Sequence, residues 1–550
     1  MKHQRGDFSR NSRILFLSAV AAAIGLAAAF VAKALLLLIA FFTNIFYFGE
    51  ISFTARAPSM DHWGPAFIVV PVIGGLVIGL MARFGSEKIR GHGIPEALEA
   101  ILFGKSIMQP KVAILKPLSS AISIGSGGPF GAEGPIIMTG GAVGSLLAQF
   151  LHLTSAERKT LLVAGAAAGM SAVFATPLAA VLLAVELLLF EWKPRSLVPV
   201  AIASSCAALM RVHLLGAGPI FPVVQHLPFN DLALVAAGFV GLSTGIFSTF
   251  LSNTLYKLED LFLKLTIHWM WWPAIGGLVV GIGGFFQPRA LGVGYDVIGD
   301  LLTGQIATTP MLFLFIVKVT IWIFALASGT SGGVLAPLLI FGCSLGSLEA
   351  PWLPGALPSG TWALIGMGSV MSGMMRSPFT AILFCFELTK DTNVLLPLLI
   401  ASISSYAFTV WAMRRSILTE KVARRGFDIF REYGVDPLER FTVKDVFTPS
   451  NSASLQVKNE IADIQNVNKI PSIFLEETCR AAADRMAEND IAHLLVISRS
   501  DQNELGVVTL NDLLKARRFH FREESFRETM FPLLKNENKQ ISPGDFPQSK

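Results

Sequence analysis

Two stretches of this chain bring glycine and proline into the middle of apolar sequence: "GSGGPFGAEGP" at 125–135 and "SGTSGGVLAP" at 328–337. The first also carries an acid, Glu133. Within hydrocarbon, unpaired backbone groups survive only where they line a cavity or are covered by protein. Each break therefore predicts a helix that starts inside the membrane, with proline in its first turn, where the missing N–H has no helical partner to lose. Such an N-terminus presents free N–H groups and about half a positive charge. It offers an anion a seat without a fixed cation, so that a bound ion can leave again. "GHGIPEAL" (91–98) predicts a third such start, and "GVGYDVIG" (292–299) echoes it.

A carboxylate beside these N-termini is itself an anion and competes for the seat. Protonation would neutralise Glu133 and release it, while burial and the helix N-terminus pull its proton affinity in opposite senses. The acid thus reads as a removable plug. The alternative is a glutamate that merely caps a helix. No metal-ligand cluster, nucleophile pair or second acid accompanies Glu133, which argues against an enzyme and against a metal or other cofactor. Cys206, Cys343, Cys385 and Cys479 have neither metal nor disulfide spacing and read as packing residues.

The elements that must position these residues follow from composition. Of 550 residues, 52% are hydrophobic and 15% charged, and the mean hydropathy of +0.58 belongs to membrane proteins. Residues 14–32 carry no charge and are long enough to cross a bilayer. The apolar run continues past Lys33, too far for a signal peptide, so it reads as a retained first helix. Lys2, Arg5, Arg10 and Arg13 ahead of it predict a cytoplasmic N-terminus. The net charge of +5 comes largely from such flanking residues and implies lipid contact, not nucleic acid. Apolar segments end near residue 413, and a basic hinge, "RRSILTEKVARRG" (414–426), leads into ordinary soluble sequence. The expected organisation is a short cytoplasmic segment (1–12), a membrane domain (13–430), a small cytoplasmic domain (431–520) and a polar, disordered tail (521–550).

The membrane domain repeats itself. "PVIGGLVIGL" (71–80) returns as "PAIGGLVVGI" (273–282), and Lys116 matches Lys318, both 202 positions on. Pro135 matches Pro337 at the same offset; Pro177 in "ATPLAAVLLAVEL" matches Pro378 in "RSPFTAILFCFEL" at 201. Four blocks in one order define repeats over about 65–190 and 267–390. Paired, interrupted segments in a duplicated membrane domain point to a transport site between the halves. In the second copy Glu133 is replaced by Leu335, which disfavours a purely structural cap. Glu186 and Glu387 stand at equivalent places and read as shared structural caps. The aromatic run "HWMWWP" (268–273) reads as an interfacial belt.

"GxGIPE" at 91–96, "GAEGP" at 131–135, "GGVLAP" at 332–337 and "SILTEKVARRG" at 416–426 resemble, in order and spacing, the signature segments of the CLC chloride channels and proton/chloride exchangers. The resemblance covers roughly residues 13–430. It implies an all-α polytopic membrane fold with an inverted repeat and broken helices, a homodimer with one pore per subunit, both termini cytoplasmic, and a bacterial inner-membrane location. It implies Glu133 as the external gating glutamate and Lys116 as a buried basic residue near the pore. The anion would be held by His92, Gly93 and Ile94 at the first motif, Gly134 beside the gate, Val334 and Leu335 at the third motif, and position 418.

Three departures modify this reading. His92 stands where the family commonly has a serine, Leu418 where it has its central tyrosine, and Leu187 where exchangers carry a second, inner glutamate; Glu191 is a substitute for the proton path. A neutral imidazole can donate to the anion and a protonated one adds charge; otherwise His92 points away and the backbone binds alone. The loss of the inner acid and of the phenol favours passive or weakly coupled chloride conduction gated by protonation of Glu133, the alternative being a proton-coupled antiporter. In the tail, "ETCRAAADRMAENDIAHLLVISRSDQNELGVVTLNDLL" (477–514) resembles a CBS domain, a small α/β unit, with Thr509 and Asp512 where family members contact ribose. That implies an adenine nucleotide as the one candidate cofactor, against a dimerisation or trafficking module.

Overall fold

The computed structural model describes residues 13–59, 64–223, 229–354, 357–427, 436–449 and 471–527, without the side chains of 437, 440 and 519–527. The expected cytoplasmic N-terminus (1–12) and most of the polar tail lie outside these residues. The chain divides into two compact units, Met1–Phe430 and Arg431–Lys550.

The first unit is helical. Among its described residues eight helices are long and apolar enough to cross a bilayer, beginning with Arg13–Phe48. The first helix, α1 (Arg13–Thr43), runs on through a π-helical turn. The first repeat then comprises α2 (Val69–Phe84), α3 (Ile94–Leu102), α4 (Pro110–Gly125), α5 (Glu133–Gln149), α6 (Ser155–Phe174) and α7 (Pro177–Leu183), the last extended by a π-turn over Ala184–Leu189. Between the repeats lie α8 (Pro194–Leu215) and α9 (Asp231–Leu263). The second repeat matches the first element for element: α10 (Trp272–Phe286), α11 (Tyr295–Leu302), α12 (Thr308–Ala327), α13 (Leu335–Glu349), α14 (Ser359–Met375) and α15 (Pro378–Thr389). Two more helices, α16 (Leu395–Ala412) and α17 (Ile417–Ala423), close the unit.

Equivalent helices pack against each other in opposite directions. Gly75 of α2 faces the Pro273 carbonyl of α10, and Gly277 of α10 faces the Pro71 carbonyl of α2; a Cβ on either glycine would strike that backbone. The contacts continue with Gly79 against Met270 and Gly281 against Ile68, so position rises on one helix as it falls on the other. Reciprocal contact through the same positions is the property of a two-fold axis. Because α2 and α10 both lie in candidate spans and run antiparallel, the axis lies along the membrane plane and the repeats are inverted.

The aromatic run is unevenly exposed. Trp272 is buried, and the Arg90 guanidinium lies 4.5 Å from the Trp269 ring and 5.8 Å from that of Trp272; Trp271 alone of the three is widely exposed. A cation folded back from the first repeat draws two tryptophans inward. The cysteines are free, three of them buried.

The second unit is a four-stranded mixed sheet in the order β1-β4-β3-β2: β1 (Thr448–Pro449), β2 (Ser472–Phe474), β3 (His493–Ile497) and β4 (Glu504–Thr509). Helices Cys479–Asn489 and Leu510–Arg527 flank it. Its core gathers Ile473, Ala482, Leu494, Val496, Val508 and Leu513.

Candidate functional site

Three interrupted segments meet at the centre of the first unit. Gly131 and Gly333 exchange backbone hydrogen bonds of 3.1 and 2.9 Å, joining the starts of α5 and α13, and Gly91 bridges to Ser331. The first intrahelical bonds run from Ile136 N–H to the Ala132 carbonyl in α5 and from Leu338 N–H to the Val334 carbonyl in α13. Helix geometry therefore leaves the amides of Glu133, Gly134, Leu335 and Ala336 without helical acceptors. Glycine makes the meeting feasible: a Cβ on Gly134 would strike the His92 carbonyl, and one on Gly333 would lie 2.5 Å from the Gly131 carbonyl and 2.9 Å from Glu133 Oε2.

Glu133 is fully buried in this junction. The amides of Glu133 and Ala336 lie beside its carboxylate, Tyr295 at the start of α11 donates its hydroxyl to Oε1 at 3.3 Å, and Oε2 has no hydrogen-bond partner. The nearest atoms to a Cβ on Gly131 all belong to this carboxyl group. The acid thus lies between two helix N-termini, in the environment that favours an anion.

A buried lysine fastens the junction. Lys116 Nζ donates to the carbonyls of Ile89 (2.9 Å) and Gly91 (2.7 Å) and to Ser331 Oγ (3.1 Å). Ser119 and Ser120 converge on the same Ser331 hydroxyl at 3.0 and 2.9 Å. Its duplicate, Lys318, holds the Gly292 carbonyl at 2.8 Å and so fixes the loop before α11.

Beside Gly91 opens a cavity of about 740 Å³, lined by Arg90, Glu96, Glu99, Trp272, Lys421 and Arg425 among others. Arg425 bridges Glu96 (2.6 Å) and Glu99 (2.7 Å), tying α17 to α3. Lys421 pairs with Glu259 at 3.6 Å, and a Cβ on Gly91 would come within 2.7 Å of its ammonium. His92, one residue from this wall, is buried, and its Nδ1 has no partner.

The expected residues fare differently. Gly93, Ile94, Gly134, Val334 and Leu335 are brought together at the helix starts. The Gly93 amide, however, donates to Glu96 Oε2 at 3.0 Å, so it is spent within α3 and is withdrawn as an anion donor. Leu418 is buried at the start of α17 with no polar atom to offer; the adjacent Ile417 carbonyl accepts from the Tyr256 hydroxyl. The Glu191 carboxylate accepts from Ser196 at 2.6 Å and pairs with Lys193 at 3.2 Å, at the start of α8. Leu187 is fully buried. Tyr295, Ser331 and Arg425 were not singled out by sequence: Tyr295 sits in a loop echo whose partner lies 162 positions away, and Ser331 in a run of small residues. Glu96 did leave a signal, three residues after the glycine it caps.

In the second unit Asp512 accepts from the Thr509 amide (3.0 Å) and hydroxyl (2.9 Å) and from Lys515 (2.6 Å), capping the last helix. Burial pushes the Cys479 thiol up to about 12, which leaves it inert.

Inverted repeats whose broken helices aim their N-termini at a buried, titratable acid define a membrane anion-transport protein. Residues 73–410 match the family model described as "Voltage gated chloride channel", and residues 461–518 match the CBS domain. The chain therefore belongs to the voltage-gated chloride channel (CLC) family and is an integral, multi-pass membrane protein. It is 28% identical over 387 residues to a "Putative chloride channel protein ClcB-like" of Ralstonia nicotianae, spanning 68% of this chain and 90% of that one. It is 30% identical to the "H(+)/Cl(-) exchange transporter ClcA" of Klebsiella pneumoniae subsp. pneumoniae, over 64% of this chain and 78% of that one. Its fold is shared with a slow cyanobacterial Cl-/H+ antiporter (TM-score 0.67, 20% identity, covering 76% of this chain and 99% of the other). A eukaryotic CLC transporter shares it as well, with a TM-score of 0.63 and 16% identity, covering 91% and 98%.

Proposed function

We propose that the protein exchanges chloride for protons across a bacterial inner membrane, with Glu133 as the gate that a proton opens. One observation carries this reading: the Glu133 carboxylate is wholly buried between the N-termini of α5 and α13, where an anion would be held. Ionised, it fills the position; protonated, it loses its attraction to the amides and yields to chloride. Relatives named as H(+)/Cl(-) exchange transporters favour coupling over the channel-like expectation. The passing anion would meet the amides of Ile94, Gly134, Val334 and Leu335 and the His92 imidazole, entering through the cavity lined by Lys421 and Arg90. Both termini would be cytoplasmic, and two copies would assemble with one pathway each.

The experiment is flux in reconstituted vesicles. With a chloride gradient imposed, the reversal potential of an exchanger moves when a pH gradient is added. Glu133→Gln is expected to keep anion flux and lose its pH dependence; complete loss of flux in a folded variant would overturn the gate. A second reading, passive conduction, is favoured by the apolar residues at 187 and 418 and by the engagement of Glu191 with Ser196 and Lys193. A reversal potential indifferent to pH would select it. For the second unit an adenine nucleotide is proposed on the Thr509–Asp512 motif alone, and ATP titration of the whole protein tests it.

A further inference from the structure

Among the described residues Glu133 has one side-chain hydrogen-bond partner, and it comes from the other repeat. Tyr295 opens α11 directly after Gly294, whose φ of 77° turns the chain into the helix. The loop is held by Lys318 on the Gly292 carbonyl, and the ring packs edge-on against Phe174 and Phe221 at 6.3 and 6.2 Å. This rigid mounting directs the phenol at Oε1 of Glu133, 3.3 Å away. The duplication sharpens the point. Position 94, the equivalent of 295 at an offset of 201, is isoleucine, and position 335, the equivalent of 133 at 202, is leucine. Each polar member of the pair occurs in one repeat only, and the fold joins them.

We propose that Tyr295 is a positioning residue for the gate: its hydroxyl latches the ionised Glu133 carboxylate in the closed position and so sets the pH at which the pathway opens. The inference rests on Glu133 being the gate. A phenol donates to a carboxylate, whereas protonation of the acid removes most of that attraction, so the latch acts on one protonation state. The charged groups around the pair come from several elements. Asp296 follows Tyr295 and lies 3.6 Å from Arg289 at the surface; Lys318 comes from α12, Lys116 from α4, and His92 and Glu96 from the start of α3. Among the described residues α5, α6, α13 and α14 bring no other ionised side chain against the carboxylate.

Tyr295→Phe deletes the donor and keeps the ring between Phe174 and Phe221. Losing one hydrogen bond to the ionised form, worth about 1 kcal/mol, converts at 1.36 kcal/mol per pH unit to a shift of roughly 0.5–1 unit. In vesicles loaded with chloride, the pH of half-maximal flux in Tyr295→Phe is expected to move to higher pH by that amount. In a Glu133→Gln background the same substitution is expected to change nothing, because no ionised carboxylate remains to be latched. A parental pH profile in Tyr295→Phe, or an equal effect in both backgrounds, overturns the proposal. If Glu133→Gln itself retains the pH dependence, the gate reading fails, which is a different result.

Discussion

Glu186 and Glu387, 201 positions apart, each cap the helix that carries the other. Glu186, in the π-turn after α7, accepts from the Thr380 amide (2.8 Å) and hydroxyl (2.6 Å) and the Phe379 amide (3.3 Å) of α15. Glu387, in α15, accepts from the amides of Leu178 (3.1 Å) and Ala179 (2.8 Å) of α7. The exchange satisfies N–H groups that a helix start would otherwise bury unpaired. It also commits both carboxylates to structure. Alanine at either position is expected to destabilise the protein by about 1–2 kcal/mol, more at the buried Glu387, without changing the proton-to-anion ratio. Thermal unfolding in detergent, together with flux ratios in vesicles, checks this; an altered ratio in a stable variant would return a proton role to these acids.

Gly131 tests the cradle from its other side. A methyl there meets the Glu133 carboxyl group, the end of a flexible side chain, while Gly131 itself keeps ordinary φ. Gly131→Ala is expected to expel the carboxylate, raising flux at high pH several-fold and flattening the pH profile as is expected of Glu133→Gln. Gly333→Ala differs, because its methyl would press the Gly131 carbonyl at 2.5 Å, backbone that cannot swing aside. That variant is expected to lose folded yield. Comparing the two by size-exclusion profile and flux separates gate displacement from damage to the junction.

Lys116 is expected to be structural in the same sense. Methionine there fills the space but leaves the buried Ile89 carbonyl without its donor, while the Gly91 carbonyl keeps only the Gly332 amide at 3.4 Å. The expected cost is about 1–3 kcal/mol, the usual penalty for one unsatisfied buried acceptor. A Lys116→Met protein as stable as its parent would show that the three segments are held together by backbone contact alone.

These tests divide along the line between what is local in sequence and what is not. The breaks at 125–135 and 328–337 are written in glycine and proline, and the duplication in equal spacing, so the helix starts were legible residue by residue. Glu133 stood out because its duplicate is Leu335. Tyr295 did not, because a contact across 162 positions leaves no trace in a single chain. Gly93 was misjudged because its amide is claimed by Glu96 three residues on, and the bonds of Glu191 to Ser196 and Lys193 were equally out of sight. The run at 268–273 hides a contact of the same kind: aromatic composition cannot reveal that Arg90 returns beneath two of the rings. Local competition for a polar group, and partners from the other repeat, are what the sequence conceals.

Under the proposed function His92 would face the anion, and its substitution gives a direct reading of the pathway. The imidazole is buried beside the starts of α3 and α5, with Nδ1 unpartnered and Lys116 and Lys421 nearby. If it donates one hydrogen bond to chloride, removing it costs about 1.5–3 kcal/mol, the usual worth of a bond to a charged partner. His92→Ala is then expected to raise the KM for chloride roughly 10- to 100-fold, at about 1.4 kcal/mol per tenfold, with stability little changed. His92→Ser, which restores a donor on a shorter arm, is expected to recover part of the loss. Flux measured against chloride concentration decides it: unchanged KM in both variants would mean that the imidazole points away and that backbone amides alone hold the ion.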